Sequence, residues 1–327
     1  MNTAQAQLGA VLAAGGSELA SLLERTEARL AELAQGHGEE LGRHASGTLS
    51  AGGKRLRPML VFLCADRGDD DRLVVAGAAV ELLHMATLVH DDVLDAAPLR
   101  RGRPTVFAAG GRGAATATGD LLFSRAFAEL ASTGSADAVR ALSGASSALA
   151  RGELMQRADA WSSDVTPERY LERCRLKTAS LFAAACRLGA LFGGRPALAG
   201  ELARFGERVG LAFQMLDDVL DVSGPQERTG KPRGADLLDG TVTLPLILAR
   251  RMDQGLAGLD LRAAVTDAAA AQGVCDRIAR TGALEPAREQ ALRYVSDAKD
   301  ALEVLDLAPE RREALDLVAD GVVARYA

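Results

Sequence analysis

One pentapeptide, Asp-Asp-Val-Leu-Asp, occurs twice in this chain, at residues 91–95 and again at 217–221. Both copies sit in stretches whose apolar or small residues recur at helical spacing: Leu73, Val74, Gly77, Val80, Leu83, Thr87 and Leu88 before the first, Phe205, Val209, Ala212, Phe213, Leu216 and Leu220 around the second. At roughly 100° per residue, Asp91 and Asp95 share a helix face one turn apart, with Asp92 displaced to the side. Gln214, Asp217 and Asp221 fall at i, i+3 and i+7, a polar stripe on an otherwise apolar helix. Like charges four residues apart destabilise an isolated helix, so each cluster calls for a counter-charge. Mg2+ suits it, because it takes one or two carboxylates and leaves positions for water and phosphate oxygens. Arg100, Arg101 and Arg103 follow the first cluster, well shaped for phosphate. A single cluster of this kind is more often a solvated helix face; two on apolar helices point to an internal site able to hold several ions.

The rest of the chain dictates the scaffold. Its 327 residues are 48% hydrophobic and 25% charged, enough to bury a sizeable core. Aromatic residues make up only 4%, β-branched residues are sparse, and no stretch alternates with period two, so the expected fold is all-α. Beyond the acidic pair there is no internal repeat and no low-complexity linker, and the chain reads as a single large helical domain. The net charge of −6 argues against a general nucleic-acid or anionic-membrane surface. Cys64, Cys174, Cys186 and Cys275 are isolated, without CxxC spacing, as expected of reduced, mostly buried thiols in a cytoplasmic protein rather than a zinc site. No Lys or Arg precedes Arg25, unlike a secretory signal, and no uncharged apolar run reaches bilayer-spanning length.

In chain order, residues 1–16 read as a loose arm, and Leu19, Leu22, Leu23, Leu30 and Leu33 mark a first helix from Ser17 to Ala34. A second helix follows His37-Gly38. Gly52-Gly53-Lys54-Arg55-Leu56-Arg57 is a basic turn, which alone is unremarkable. Asp69 to Asp71 suit the cap of the long helix that ends at Asp95. That helix carries His84 two turns before Asp91; alone, such a histidine is more often a packed residue. Helical patterns over 136–155 and 167–173 precede Lys177-Thr178, which introduces an apolar helix ended by Gly193-Gly194. Lys177 is either a boundary charge or a group leaning into a cavity. Residues 223–240 form a long loop with Lys231 and Arg233, as in a lid that closes on an anion. Amphipathic helices over 241–252, 257–280, 285–304 and 309–325 complete the chain.

Taken together, GGKRLRP, ELLHMATLVHDDVLD, LRRGRPT, LKTASL, FQMLDDVLD and GKPRGADLLDGTVTLPLI resemble the trans-isoprenyl diphosphate synthases, the polyprenyl synthetase family, in order and spacing from residue 51 to 247. The resemblance implies central helices around a deep cavity, a homodimer, and head-to-tail condensation of isopentenyl diphosphate with an allylic diphosphate. It implies three Mg2+ ions on the allylic diphosphate, with Asp91, Asp95 and Asp217 as direct ligands and Asp92, Asp218 and Asp221 supporting them. By the same resemblance, Arg100, Lys177 and Lys231 are further cationic contacts for that diphosphate, and Thr178 and Gln214 turn oxygens toward the developing allylic cation. Lys54, Arg57, His84 and Arg101 correspond to the isopentenyl diphosphate site, which makes sense of the basic turn and the histidine together.

Short-chain members carry an aromatic four or five residues before the first Asp. Here those positions are Thr87 and Ala86, so a C20 or longer product is expected, shortened by Ala86→Phe. Thr241 stands where many members have Lys. A class I terpene cyclase shares the first acidic set, but DDVLDVSGP lacks the Asn/Asp, Ser/Thr and Glu order of its second metal motif. A non-catalytic subunit that only modulates product length would tend to lose carboxylates, and all six remain. An EF-hand calcium loop is a poorer match, since its alternating ligands are missing.

Overall fold

The computed structural model describes residues 3–35, 37–50, 53, 55–66, 68–100, 102–224 and 233–324. Among them the fold is all-α. In chain order the helices are α1 (Thr3–Leu33), α2 (Glu39–Ser50), α3 (Leu56–Leu63), α4 (Asp70–Leu94), α5 (Val106–Ser132), α6 (Ala136–Ala158) and α7 (Pro167–Cys174). A π-helical turn, Arg175–Ala179, runs straight into α8 (Ser180–Phe192), and α9 (Ala199–Ser223) follows. The remainder is α10 (Ala235–Leu238), α11 (Leu244–Met252), α12 (Gln254–Ala257), α13 (Leu261–Ala264), α14 (Ala268–Arg280), α15 (Leu284–Glu303) and α16 (Pro309–Ala324). The only extended pairing among the described residues is a two-residue antiparallel ribbon, β1 (Leu99–Arg100) with β2 (Arg103–Pro104).

Internal contacts divide the chain into two units: Met1–Ser146 with Leu181–Gly206 and Leu302–Val318, and Ser147–Ser180 with Glu207–Ala301 and Ala319–Ala327. In the first, α4 packs on α1, α3 and α5. Asp69 caps α4 as the sequence predicts, its carboxylate accepting from the Asp71 and Arg72 N–H groups. Helix α4 contains a window apolar enough to cross a membrane by composition, with mean hydropathy 1.7, but 72% of that window is buried in protein. Phe62 of α3 is fully buried against Gly77 of α4, where a Cβ would stand 2.8 Å from the ring. A phenylalanine buried in this way contributes about 1.5–3 kcal/mol.

Arg55 fastens the same unit. It adopts left-handed backbone geometry (φ 46°) just before α3. Its buried guanidinium donates to Glu81 of α4 at 2.6 Å, to the Leu49 carbonyl of α2 at 2.9 Å and to Glu27 of α1. One cation of the basic turn is thus a structural clamp on three helices.

The elements differ from expectation in four places. The arm expected to be loose is helical from Thr3: its Ala and Gln residues favour helix, Val11 is buried, and Gly16 (φ 68°, ψ −170°) breaks the run where the second half begins. The loop after α9 contains the short helix α10. The helix expected over 257–280 is two pieces, α13 and α14, because Asp260 and Asp267 each turn a carboxylate back onto N–H groups and start a new helix, as Asp253 does for α12 just before them. The ribbon at 99–104 had no alternation long enough to reveal it.

Candidate active site

In the first unit, the partly exposed positions of α4 near its C-terminal end include His84, Thr87, Leu88 and Asp91, spaced so that they form one stripe the core does not cover. Asp91 lies at its end and Asp95 is exposed, with the Asp95 N–H bonded to the Asp91 carbonyl at 2.8 Å. Asp92 points elsewhere. It is 4% exposed and accepts from Arg100 Nε at 2.8 Å. Burial raises its carboxyl pKa, while the Arg100 charge opposes that rise. Arg100 is placed by the ribbon, and the ribbon is held by Thr105, whose hydroxyl donates to the Ala97 carbonyl at 2.6 Å and also caps α5. A cavity of about 290 Å3 adjoins this pair, walled by Met85, Leu88 and Val106.

The second acidic set belongs to the second unit, where α7, the π turn and α9 assemble a connected polar group. The Thr178 hydroxyl donates to Gln214 Oε1 at 2.7 Å. The Gln214 amide nitrogen donates to Asp218 Oδ1 at 2.8 Å, and the Tyr170 hydroxyl donates to Asp218 Oδ2 at 2.7 Å. Both Asp218 oxygens therefore have protein donors, and the group is 3% exposed. Burial, aided by the charge of Asp236, pushes its carboxyl up to about 8 against the pull of those donors. Asp221 is equally buried and accepts from the Asp236 N–H of α10 at 3.3 Å, so it anchors the returning chain. Asp217 alone of the three is partly exposed.

In its ionised form Asp218 only accepts, which matches the Gln214 NH2 facing it and the Gln214 carbonyl facing Thr178. Thr178 spends its proton on that carbonyl.

Lys177 stands in the π turn, closed by the Ser180 N–H to Arg175 carbonyl bond. Its ammonium lies 2.5 Å from Glu153 Oε2 and donates to Gln156 Oε1 at 3.2 Å. Of the isopentenyl diphosphate set, Arg57 lies over the Phe182 ring at 4.7 Å and His84 is on the α4 stripe. Lys54, Arg101 and Lys231 lie outside the described residues, as does the middle of the lid-like loop. Arg233, at the end of that loop, donates to the Val222 carbonyl and to Asp276 at 2.7 Å. Thr241 is half-buried, with its N–H on the Asp236 carbonyl at 2.8 Å.

Tyr170, Glu153 and Gln156 were missed by sequence reasoning. Tyr170 gave a faint signal, a lone aromatic seven residues before Lys177; Glu153 and Gln156 looked like ordinary polar positions of an amphipathic helix.

Among the described residues, no three His, Cys, Asp or Glu side chains converge into a protein-only metal cage. The donor chemistry still fits Mg2+, since the half-buried Asp91 and Asp217 and the exposed Asp95 are hard oxygen ligands, and this ion completes its shell with water and phosphate oxygens. All four cysteines are free and buried, as expected.

Comparison with known proteins carries the fold to an enzyme class, the prenyltransferases. The polyprenyl synthetase family model matches residues 39–280, and the chain belongs to that family. It is 40% identical over 304 residues to heptaprenyl diphosphate synthase component 2 of Geobacillus stearothermophilus, covering 92% of this chain and 95% of that one. It is 36% identical to geranylgeranyl diphosphate synthase of Methanosarcina mazei over 88% of this chain and 90% of the relative. The crystal structure of a Caulobacter crescentus polyprenyl synthase complexed with calcium and isoprenyl diphosphate superposes with a TM-score of 0.89 at 33% identity, covering 98% of each chain.

Proposed function

We propose that this enzyme condenses isopentenyl diphosphate head-to-tail with an allylic diphosphate, in a Mg2+-dependent reaction, to give an all-trans polyprenyl diphosphate of C20 or longer. The observation that carries the reading is the chain of hydrogen bonds from Tyr170 through Asp218 and Gln214 to Thr178. It fixes the Thr178 hydroxyl, next in sequence to Lys177, on Gln214, in a family whose relatives are named as prenyl diphosphate synthases.

The chemistry follows from charge. The allylic C–O bond breaks and its electron pair leaves with the diphosphate, so a carbocation and an anion must be kept from recombining. Asp91, Asp95 and Asp217 would hold Mg2+, three ions with substrate bound, with Asp92, Asp218 and Asp221 in support. Held there, Mg2+ would supply neutralising charge for the departing diphosphate. Arg100, Lys177 and Lys231 supply fixed positive charge to the same anion, while Thr178 and Gln214 turn lone pairs toward the cation. Lys54, Arg57, His84 and Arg101 orient isopentenyl diphosphate so that its double bond attacks the cation; a proton then passes to the released diphosphate. No side-chain nucleophile is required.

Product length depends on the α4 stripe. Ala86 is fully buried, whereas Thr87 is one of the partly exposed positions leading back from Asp91, so Thr87 is the more direct control on how far a growing chain extends. The protein acts as a cytoplasmic homodimer, its buried free thiols suiting a reducing compartment. A second reading, that long products need a non-identical subunit, is favoured by the relative named component 2.

The test is incubation of pure protein with isopentenyl diphosphate and C5, C10, C15 or C20 allylic diphosphates, with and without Mg2+, followed by mass analysis. Products of C20 or longer that require Mg2+ are expected. No condensation from any primer would overturn the reading, and condensation restored by a second subunit would favour the alternative.

A further inference from the structure

We infer that Glu153 is a positioning residue for catalysis: it holds the Lys177 ammonium in one place so that its charge is presented to the allylic diphosphate from a fixed point. The inference rests on the reading of Lys177 as a contact for that diphosphate.

Helix α6 and the π turn meet backbone to backbone. At Gly152 an added Cβ would stand 2.6 Å from the Lys177 nitrogen and 2.8 Å from its Cα, so no other residue lets the two elements come this close. That contact sets where the Lys177 side chain starts, and the next residue of α6 sets where it ends. Glu153 Oε2 lies 2.5 Å from the ammonium, while Glu153 Oε1 accepts from Arg157 Nε at 2.8 Å, one turn along the same helix. With each oxygen claimed by a different cation, the carboxylate cannot rotate. Its side chain is 15% exposed, and Lys177 with Arg157 keeps it ionised despite that burial.

A lysine ammonium has three N–H groups on a flexible four-carbon stem. Glu153 pairs with the ammonium by charge, 2.5 Å away, and Gln156 takes an N–H at 3.2 Å, so the head of the side chain is held from two sides.

A rival role gives the opposite result. If Glu153 served only to neutralise positive charge, its removal would leave Lys177 more attractive to an anion, and the allylic KM would fall. Positioning predicts that it rises. We expect Glu153→Ala to raise the KM for a C15 allylic diphosphate by roughly tenfold, with the KM for isopentenyl diphosphate changed less than about twofold. Inhibition by inorganic diphosphate should weaken in parallel. Glu153→Gln keeps an oxygen for Lys177 and should restore most of the affinity. Glu153→Asp, one methylene shorter, should not, and this pair decides the matter if the alanine variant fails to fold. An unchanged or lowered allylic KM, or an equal rise in both KM values, would overturn the inference. Lys177→Ala measured alongside separates the two readings. A raised allylic KM there, with none in the Glu153 variants, overturns positioning alone. An unchanged one removes Lys177 from the site and the inference with it.

Discussion

The Tyr170 hydroxyl donates to Asp218 Oδ2 at 2.7 Å, with the phenol fully buried and Asp218 3% exposed. This bond ties α7 to α9 and holds the Asp218 carboxyl on which the Gln214 amide rests. A residue that touches no substrate therefore determines how two proposed cation-facing oxygens are presented.

Tyr170→Phe removes that hydroxyl and keeps the ring. The expected loss of stability is roughly 1–3 kcal/mol, read by thermal unfolding. Turnover should fall by about tenfold while the KM for isopentenyl diphosphate holds, because the missing bond supports the oxygens proposed to face the allylic cation. Wild-type turnover would show that Asp218 is positioned without it.

Asp91 is only half-buried and lies on the stripe of α4 that the core leaves uncovered. Asp91→Ala should keep the unfolding midpoint within a few degrees and lower condensation by about a thousandfold or more, measured as incorporation of isopentenyl diphosphate.

Two arginines of one turn should behave differently. Arg55→Ala leaves Glu81, 4% exposed, without its guanidinium and should destabilise the fold by about 3–5 kcal/mol. Arg57 lies over the Phe182 ring, and Arg57→Ala should cost about 1 kcal/mol of stability but raise the KM for isopentenyl diphosphate. Denaturant titration and initial rates separate the two effects.

Thr87→Phe should shorten the product. An aromatic ring one turn before Asp91 blocks the stripe along which a growing chain would lie, and mass analysis of the diphosphate products checks this. An unaltered product distribution would move the length control elsewhere.

The Glu153 carboxyl is pushed up by burial and pulled down further by Lys177 and Arg157, ending below its ordinary value of 4.5. A lowered folded-state pKa contributes stability that is present above the unfolded value and lost as pH falls through the folded one. The unfolding midpoint of the wild type should therefore exceed that of Glu153→Gln near neutrality. The gap should close on acidification from about pH 6 to pH 3.

Periodic features were legible in the sequence. The apolar spacing before each DDVLD run located α4 and α9, and Asp69 announced the start of α4. What escaped were features set by single residues or by contacts distant in sequence. Asp260 and Asp267 cut one expected helix into two by local capping, against an amphipathic pattern that runs through both of them. Tyr170 and Asp218 are 48 residues apart, and nothing in the spacing of either helix says which faces meet. Arg55 looked like its neighbours Lys54 and Arg57 because charge alone does not reveal which of three adjacent cations is buried.

The wide turn at Arg175–Ala179 behaves as one residue too many for a regular helix. Ordinary pitch would turn the residues at its end by roughly 100° relative to those before it. Tyr170 and Cys174 before it, and Thr178 and Ala179 within it, are all buried at the present phase. Removing one residue from this turn is thus a rotation in disguise: the helix could survive intact, yet Thr178 would be swung off the face that meets Gln214.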